Sequence, residues 1–347
     1  MCGIKWGKSG DNKVKISYYY FLLEVRILKR ILVTGATGQI GSELIVALKE
    51  RYGKENVIST MHVRKPPEDL EELGPWVTLD VTDRSAVDKV IEEYDIDTIY
   101  HLAAILSATG EKNPQLAFRV NLLGTYNILE AGVKYNLERV MIPSSIAVFG
   151  PETPRDNTPN ETVLKPTTMY GITKVAGELL GNYYFKKYGL DVRGLRFPGL
   201  ISWKTPPGGG TTDYAVEIFY YAVEGKKYTC FLREDTYLPM MYMPDAIRAL
   251  IELAEAPIEK LKHHADFNIT AMSFSPRELV EEIRKYIPDF EVEYKPDYRQ
   301  EIADSWPNSI DDSAAREEWG WKPEYDLPAM VDDMIKNIAR KLGKDLP

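Results

Sequence analysis

The sequence predicts an α/β protein, a doubly wound parallel sheet followed by a smaller C-terminal α/β part. Three observations carry that prediction. Apolar, strand-like segments alternate with helical ones from Leu28 to about Leu200. The first unit, RILVTGATGQIGSELIVALKE at 30–50, joins strand to helix through Gly35, Gly38 and Gly41. Beyond Gly199 the alternation gives way to a loop rich in Pro and Gly, KTPPGGGTT at 204–212.

Each element has its own reason. Ile31–Val33 is a short apolar run that reads as a buried strand. Gly35 permits a tight turn, Gly38 lets backbone approach a pyrophosphate, and Gly41 lets helix and strand pack closely. Leu44, Ile45, Ala47 and Leu48 mark the inner side of the helix, whose N-terminus offers N–H groups and a positive dipole end. The unit therefore predicts a bound dinucleotide in a Rossmann arrangement and leaves its use open. Strands are expected at Asn56–Thr60, Trp76–Leu79, Asp97–Leu102, Arg139–Ile142 and Val192–Arg196. Helices are expected at Gly41–Tyr52, Ser85–Tyr94, Pro114–Tyr135 and Met169–Tyr188, and after the loop at Tyr214–Glu224. The expected division is 1–27 as an extension, 28–200 as the dinucleotide-binding domain, and 201–347 as the substrate-binding part with some return to the first. Ligands of open parallel sheets lie beyond the strands' C-terminal ends, so the loops after strands four, five and six should line the site.

Composition narrows the chemistry. A net charge of -9 without a long basic run disfavours nucleic acid as a partner. Two cysteines, Cys2 and Cys230, exclude a disulfide framework and a Cys-rich zinc site. The four histidines lack metal-site spacing, and His263–His264 read as part of a solvated loop. No apolar run is long enough to span a bilayer; SYYYFLLEV in the extension is short and broken by Glu24. A cytoplasmic protein acting on a small molecule, without metal or membrane partner, is expected.

The chemistry-bearing residues come next. The fifth strand runs into PSSIAVFG at 143–150, and 25 residues after Ser145 comes YGITK, with Tyr170 and Lys174 on one helix face. Oxidising a secondary alcohol needs a base for its hydroxyl proton. A phenol, titrating near pH 10, is a poor one unless a neighbouring positive charge favours phenolate, as the Lys174 ammonium would. A serine hydroxyl opposite can hold the substrate oxygen. The order of glycine loop, Ser145 at a strand end and Tyr-x-x-x-Lys makes this set specific.

With these motifs in order, roughly Leu28 to Gly343 resembles an extended short-chain dehydrogenase/reductase. The resemblance also rests on LDVTD (79–83), HLAA (101–104), Asn121 in VNLLGTYNIL, RFPGL (196–200) and DDSAAREEWGWKP (311–323). Within that superfamily, ILSATGEKNP (105–114), IPSSIAVFGPETP (142–154), GTTDYAVEIFYYAV (210–223), LPMMYMPDA (238–246) and SWPNS (305–309) are most similar to the short-chain type of L-threonine 3-dehydrogenase. The resemblance implies oxidation of threonine's 3-hydroxyl by NAD to 2-amino-3-ketobutyrate, with Tyr170 as base, Lys174 as its electrostatic partner and Ser145 holding the oxygen. For the cofactor it implies Gly35, Thr37, Gly38, Gln39, Ile40, Gly41, Arg64, Asp80 on the adenine amino group, Val81 on the ring, Leu102, Ala103, Ala104, Asn121, Tyr170, Lys174 and Pro198. For the substrate it implies Ser107, Ser145, Tyr170, Gly210, Thr211 and Trp306. It also implies a homodimer built on the helices Pro114–Tyr135 and Met169–Tyr188.

The chain departs from the pattern in two places. Where NAD-preferring members carry an acid at the end of strand two, STMHVRKPP (59–67) has Met61 or His62, with Arg64 and Lys65 following and no acid before Glu68. A basic residue there can hold the 2′-phosphate of NADP, so both NAD and NADP stay open, with NAD favoured by the family. Ser145 stands where threonine is common, and either supplies a hydroxyl. Three sets of residues keep two roles open. Thr211 and Thr212 either cap the following helix or meet substrate, Trp306 packs the core or encloses substrate, and Asn121 either ties helices together or contacts the cofactor. Ser144 is expected to be bonded to its surroundings and not catalytic. Two rival functions share the scaffold. A nucleotide-sugar epimerase or reductase is one; a dehydratase would want an Asp-Glu pair after Ser145, where Ile146 and Ala147 stand. The other is a non-catalytic dinucleotide sensor, which would tend to lose the Tyr or Lys.

Overall fold

The computed structural model describes residues 30–344 except 207 and 209. The extension, including Tyr18–Tyr20, lies outside the described residues. Strand β1 (Ile31–Thr34) leads through the glycine turn into α1 (Gln39–Tyr52). Then follow β2 (Val57–Met61), β3 (Trp76–Thr78), α2 (Arg84–Tyr94), β4 (Thr98–His101) and a short helix α3 (Ser107–Lys112). Helix α4 covers 114–134 and contains a π-helical segment, Phe118–Leu123. Next come β5 (Arg139–Met141), β6 (Ser144–Ser145), α5 (Met169–Tyr188), β7 (Val192–Arg193), β8 (Leu195–Phe197) and β9 (Gly199–Ile201).

The main sheet is parallel in the order β3-β2-β1-β4-β5-β7, with Ile31 paired to Val57 on one side and Thr98 on the other. Its strands are covered on both faces, so alternate residues enter different cores. Ile31, Val33, Val57 and Tyr100 pack with Leu44, Ile45 and Leu48 of α1. Leu32, Ile58, Ile99 and Val140 pack with Val87 and Ile91 of α2 and Ile128 of α4. Asp83 caps α2 through the amides of Ser85 and Ala86 at 2.9 and 3.1 Å, which explains the sharp helix start.

The expected sixth strand is broken. Gly194 lies where an added Cβ would meet the carbonyl oxygens of Ala265 and Ile142 at 2.5 Å each. Only β7 completes the main sheet; β8 turns away to pair with β6 and with β12 (Phe267–Asn268). That turn carries Phe197 and Pro198 toward the strand ends. Beyond them lie α6 (Tyr214–Val223), β10 (Tyr228–Cys230), β11 (Leu238–Tyr242) and α7 (Met243–Glu255). Then come β13 (Met272–Phe274), α8 (Pro276–Arg284), β14 (Val292–Tyr294), α9 (Arg299–Asp304), α10 (Ser313–Trp319) and α11 (Leu327–Leu342). Strands β9, β11 and β13 form one small sheet, β10 and β14 another. A third core joins α6, β10, β11, α8 and α11.

Helix α7 returns to the main sheet. Its Met243, Ala246 and Leu250 share a core with Ile31 and Leu44. A buried ion cluster fastens its end. Asp191 pairs with Arg193 at 2.8 Å and Arg139 at 2.7 Å, and Arg193 Nη1 donates to the carbonyls of Leu253 (2.6 Å) and Ala256 (2.7 Å). Those carbonyls are among the acceptors a helix end leaves without an intrahelical donor.

The histidine pair is not a solvated loop. His264 is buried and stacks on Phe185, with ring centroids 3.6 Å apart, while His263 Nδ1 lies 2.6 Å from Glu318. Among the described residues no cluster of three or more His, Cys, Asp or Glu could hold a metal, and no helix is long and apolar enough to cross a membrane.

Candidate active site

The glycine turn is shaped to receive a ligand. Gly35 has φ +67°, and a Cβ there would lie 2.7 Å from the Ala103 amide nitrogen, so no other residue lets β1 and the end of β4 come this close. Thr34 fixes the neighbouring backbone; its Oγ1 accepts from the amides of Leu102 (3.1 Å) and Ala103 (3.2 Å). Two adjoining clefts open on either side of this turn, both lined by Gly35, Gly38, Leu102 and Ala104.

One cleft, of about 1410 Å³, runs beyond β2 and β3, where Thr37, Arg64, Asp80, Val81 and Ala103 line it together with His62 and Arg119. Asp80 Oδ1 accepts from the amide and hydroxyl of Thr82, at 2.9 and 2.8 Å. Partial burial pushes the Asp80 carboxyl up, but the Thr82 bonds, His62 and Arg119 outweigh it and hold the group below its usual range. The other cleft, of about 1130 Å³, lies beyond β4, β6 and β9 and contains Gln39, Ile40, Gly41 and Pro198. A dinucleotide fits this layout. A backbone cradle that a Cβ would fill lies at the start of α1, with a pocket on each side.

Ser145, Tyr170 and Lys174 meet at the floor of the second cleft. Helix α5 starts at Thr168, whose hydroxyl accepts from the Gly171 amide at 3.1 Å. A Cβ on Gly171 would lie 2.2 Å from the Ala147 carbonyl oxygen, so the missing side chain is what brings Tyr170 against the turn that holds Ser145. Tyr170, Lys174 and Glu178 recur every four residues and share a face. Burial pushes the Tyr170 phenol up to about 12, opposed by a hydrogen bond with Ser145. Burial brings the Lys174 ammonium down to about 8, opposed by Glu178. Lys174 Nζ donates to the Pro143 carbonyl at 2.6 Å and sits 5.5 Å from the Tyr170 ring centroid. The phenol thus sits beside a fixed cation, in a setting where any added positive charge would favour its ionisation.

The sequence motifs do not single out Glu178, although its place one turn beyond Lys174 is visible in them. It is 4% exposed, receives the Ser144 hydroxyl at 2.5 Å, and is held by Arg196 at 3.0 and 2.8 Å. Ser144 is therefore occupied, as expected, with a neighbouring side chain.

Asn121 lines neither of these two clefts. Its amide accepts from the Ile105 N–H at 2.7 Å and donates to the Ile105 carbonyl (3.0 Å) and Thr173 Oγ1 (3.2 Å). It lies in the π-helical segment of α4 and ties the loop after β4 to α5, which favours the tying role over direct cofactor contact. π-helical turns commonly mark such functional positions.

Ser107, Gly210, Thr211 and Trp306 line the second cleft with Thr212, Asp213 and Phe197. Thr211 is buried, and its Oγ1 has no partner among the described residues. Residue Asp213 precedes α6 and no side chain caps that helix, so the capping role of Thr211 and Thr212 falls away. Asp213 accepts from the Gly210 amide at 2.7 Å and is the one carboxylate lining this cleft among the described residues. Trp306 packs the C-terminal core and also lines the cleft.

This combination of fold and site defines a dinucleotide-dependent enzyme scaffold. Residues 31–270 match the model of the NAD dependent epimerase/dehydratase family, and the chain belongs to that family. It is 51% identical over 316 residues to an uncharacterized epimerase/dehydratase of Staphylococcus haemolyticus, over 90% of this chain and 99% of that one. It superposes on the holo form of an L-threonine dehydrogenase from Cupriavidus necator with TM-score 0.87 at 54% identity, covering 89% of this chain and 99% of that one. On the apo form of the same enzyme the TM-score is 0.77. A monomeric L-threonine 3-dehydrogenase from a metagenome gives TM-score 0.86 at 51% identity, over 90% and 99% of the two chains.

Proposed function

We propose that this chain is an L-threonine 3-dehydrogenase of the short-chain type, oxidising the 3-hydroxyl to 2-amino-3-ketobutyrate with NAD as acceptor. The observation that carries the reading is the convergence of Ser145, Tyr170 and Lys174 in a cleft that is also lined by the carboxylate of Asp213, within a chain about half identical to threonine dehydrogenases along nearly its whole length.

The protein's own groups divide the work. Gly35, Thr37, Gly38, Gln39, Ile40 and Gly41 would hold the pyrophosphate; Arg64, Asp80, Val81 and Ala103 the adenosine half; and Leu102, Ala104, Pro198, Tyr170 and Lys174 the nicotinamide half. When bound, that nicotinamide accepts a hydride equivalent and brings a positive charge to the site. Ser145 holds the substrate's 3-hydroxyl against Tyr170, whose phenolate takes the hydroxyl proton. Lys174 stabilises the phenolate. Asp213 faces the ammonium, and Ser107 and Thr211 hydroxyls receive the carboxylate. Residues 201–347 supply Gly210, Thr211 and Trp306, and serve as the substrate-binding part.

Kinetics with L-threonine and with a UDP-hexose, each with NAD, test the reading. Turnover of threonine alone is expected. Turnover of the sugar without threonine would assign the chain to the epimerase branch; neither reaction, with NAD still bound, would make it a sensor.

We infer also that it self-associates. Phe118, Leu123 and Tyr126 on α4 and Ile172, Leu179 and Tyr183 on α5 are between 39% and 64% exposed, so both helices present large apolar side chains to solvent, which supports their use as a contact between two copies. Sedimentation at micromolar concentration should show twice the 39.5 kDa chain mass; a monomer there would refute the inference.

A further inference from the structure

The adenosine end of the cleft has an unusual charge balance for a site that is to hold an unphosphorylated ribose. An NAD-selective site presents an acid at the end of its second strand, where a carboxylate accepts from the ribose hydroxyls and repels a phosphate. Here β2 ends at Met61, followed by His62, Val63 and Arg64, and His62 and Arg64 line the cleft. Arg119 lines it from the π-helical segment of α4. Among the described residues that line it, one carboxylate, Asp80, stands against these three basic side chains. That group is already engaged. Its Oδ1 holds Thr82 at 2.9 and 2.8 Å, and its Oδ2 lies 3.7 Å from His62 Nε2. Glu68, the first acid beyond β2, does not line the cleft.

Two consequences follow from this balance. A ribose diol finds no carboxylate at the strand end, so the interaction that normally favours NAD is missing. A 2′-phosphate finds a guanidinium suited to paired hydrogen bonds and an imidazole beside it. We propose that this end of the cleft is a 2′-phosphate site, with Arg64 as its main ligand and His62 assisting, so that the chain accepts NADP alongside NAD. This rests on the reading of the cleft as a dinucleotide site.

Binding, measured apart from turnover, tests it. Calorimetry at low ionic strength should show 2′,5′-ADP binding more tightly than 5′-AMP by about tenfold, the worth of one charge-assisted hydrogen bond. Arg64→Ala should remove most of that preference, weakening 2′,5′-ADP far more than 5′-AMP. Raising the salt should shrink it, since both groups are partly exposed. His62→Asp should reverse it. In turnover, the NADP-to-NAD ratio of kcat/KM should fall in Arg64→Ala. Equal binding of the two probes, or an Arg64→Ala loss that strikes both alike, would overturn the proposal. Threonine turnover with NAD is a separate readout. Its absence would sink the functional reading, while the probe ratio would still decide this site.

Discussion

Tyr170→Phe is expected to lower kcat for threonine oxidation on the order of 10²–10⁴-fold, the range of a lost general base, while NAD affinity stays nearly constant. The ring would keep its packing against the Ser145 turn; only the hydroxyl leaves. The pH dependence follows from the same group. Burial holds the phenol up to about 12, so its protonated form predominates at neutral pH and the active phenolate grows as pH rises. Wild-type kcat/KM should therefore climb with pH from neutrality. Lys174, brought down to about 8, loses its own charge above that point, so the climb should flatten there. In Lys174→Met the flattening should vanish and the rise should shift to higher pH. Wild-type activity that falls with pH across this range, or Tyr170→Phe retaining full turnover, would remove Tyr170 from its assigned role.

Glu178→Ala is expected to cost about 3–5 kcal/mol of folding stability, the penalty for leaving a buried charge without its partner. Arg196 is 3% exposed and would keep only the Asn160 carbonyl at 2.7 Å and Asn268 Oδ1 at 3.2 Å. Ser144 would lose its acceptor as well. Because Glu178 also supports the Lys174 ammonium, activity should fall in the folded fraction too. Glu178→Gln, which keeps the volume and part of the bonding, should lose less of both. Urea denaturation read by two probes would measure the change; a loss under about 1 kcal/mol would mean that Arg196 is solvated or re-paired.

The parts legible in the sequence are those governed by local signals. The helix Met169–Tyr188 is found with those bounds because Thr168 caps its start and Gly189, at φ +72°, ends it. The β1–glycine–α1 unit is equally local. The parts that are not legible depend on distant partners. Val192–Arg196 looks like one strand, and breaks because Gly194 must pass the carbonyls of Ala265 and Ile142. Lys49 and Glu43 of α1 are charged yet buried, Lys49 donating to the Val57 carbonyl and Glu43 accepting from Ser202, partners that lie elsewhere in the chain. His263 and His264 look solvated until Glu318 and Phe185 arrive from elsewhere in the chain.

The candidate site shows the same division. The spacing of Ser145, Tyr170 and Lys174 can be read from sequence, since a strand end and one helix face determine it. Glu178 needs Arg196 to become a buried ion pair. Asp213 needs the backbone path through Gly210 to bring it to the cleft. Asn121 needs the loop at Ile105 to show that its amide is spent on backbone.

At the centre of the proposed reaction, C3 of threonine gives up its hydrogen to the nicotinamide. Turnover of L-threonine deuterated at C3, with mass analysis of the reduced cofactor, follows that hydrogen itself. One deuterium is expected in the reduced nicotinamide for each molecule of 2-amino-3-ketobutyrate formed, with a slower chemical step than for unlabelled threonine. Reduced cofactor without label, or no reduction with threonine while a UDP-hexose is epimerised, would contradict the assignment.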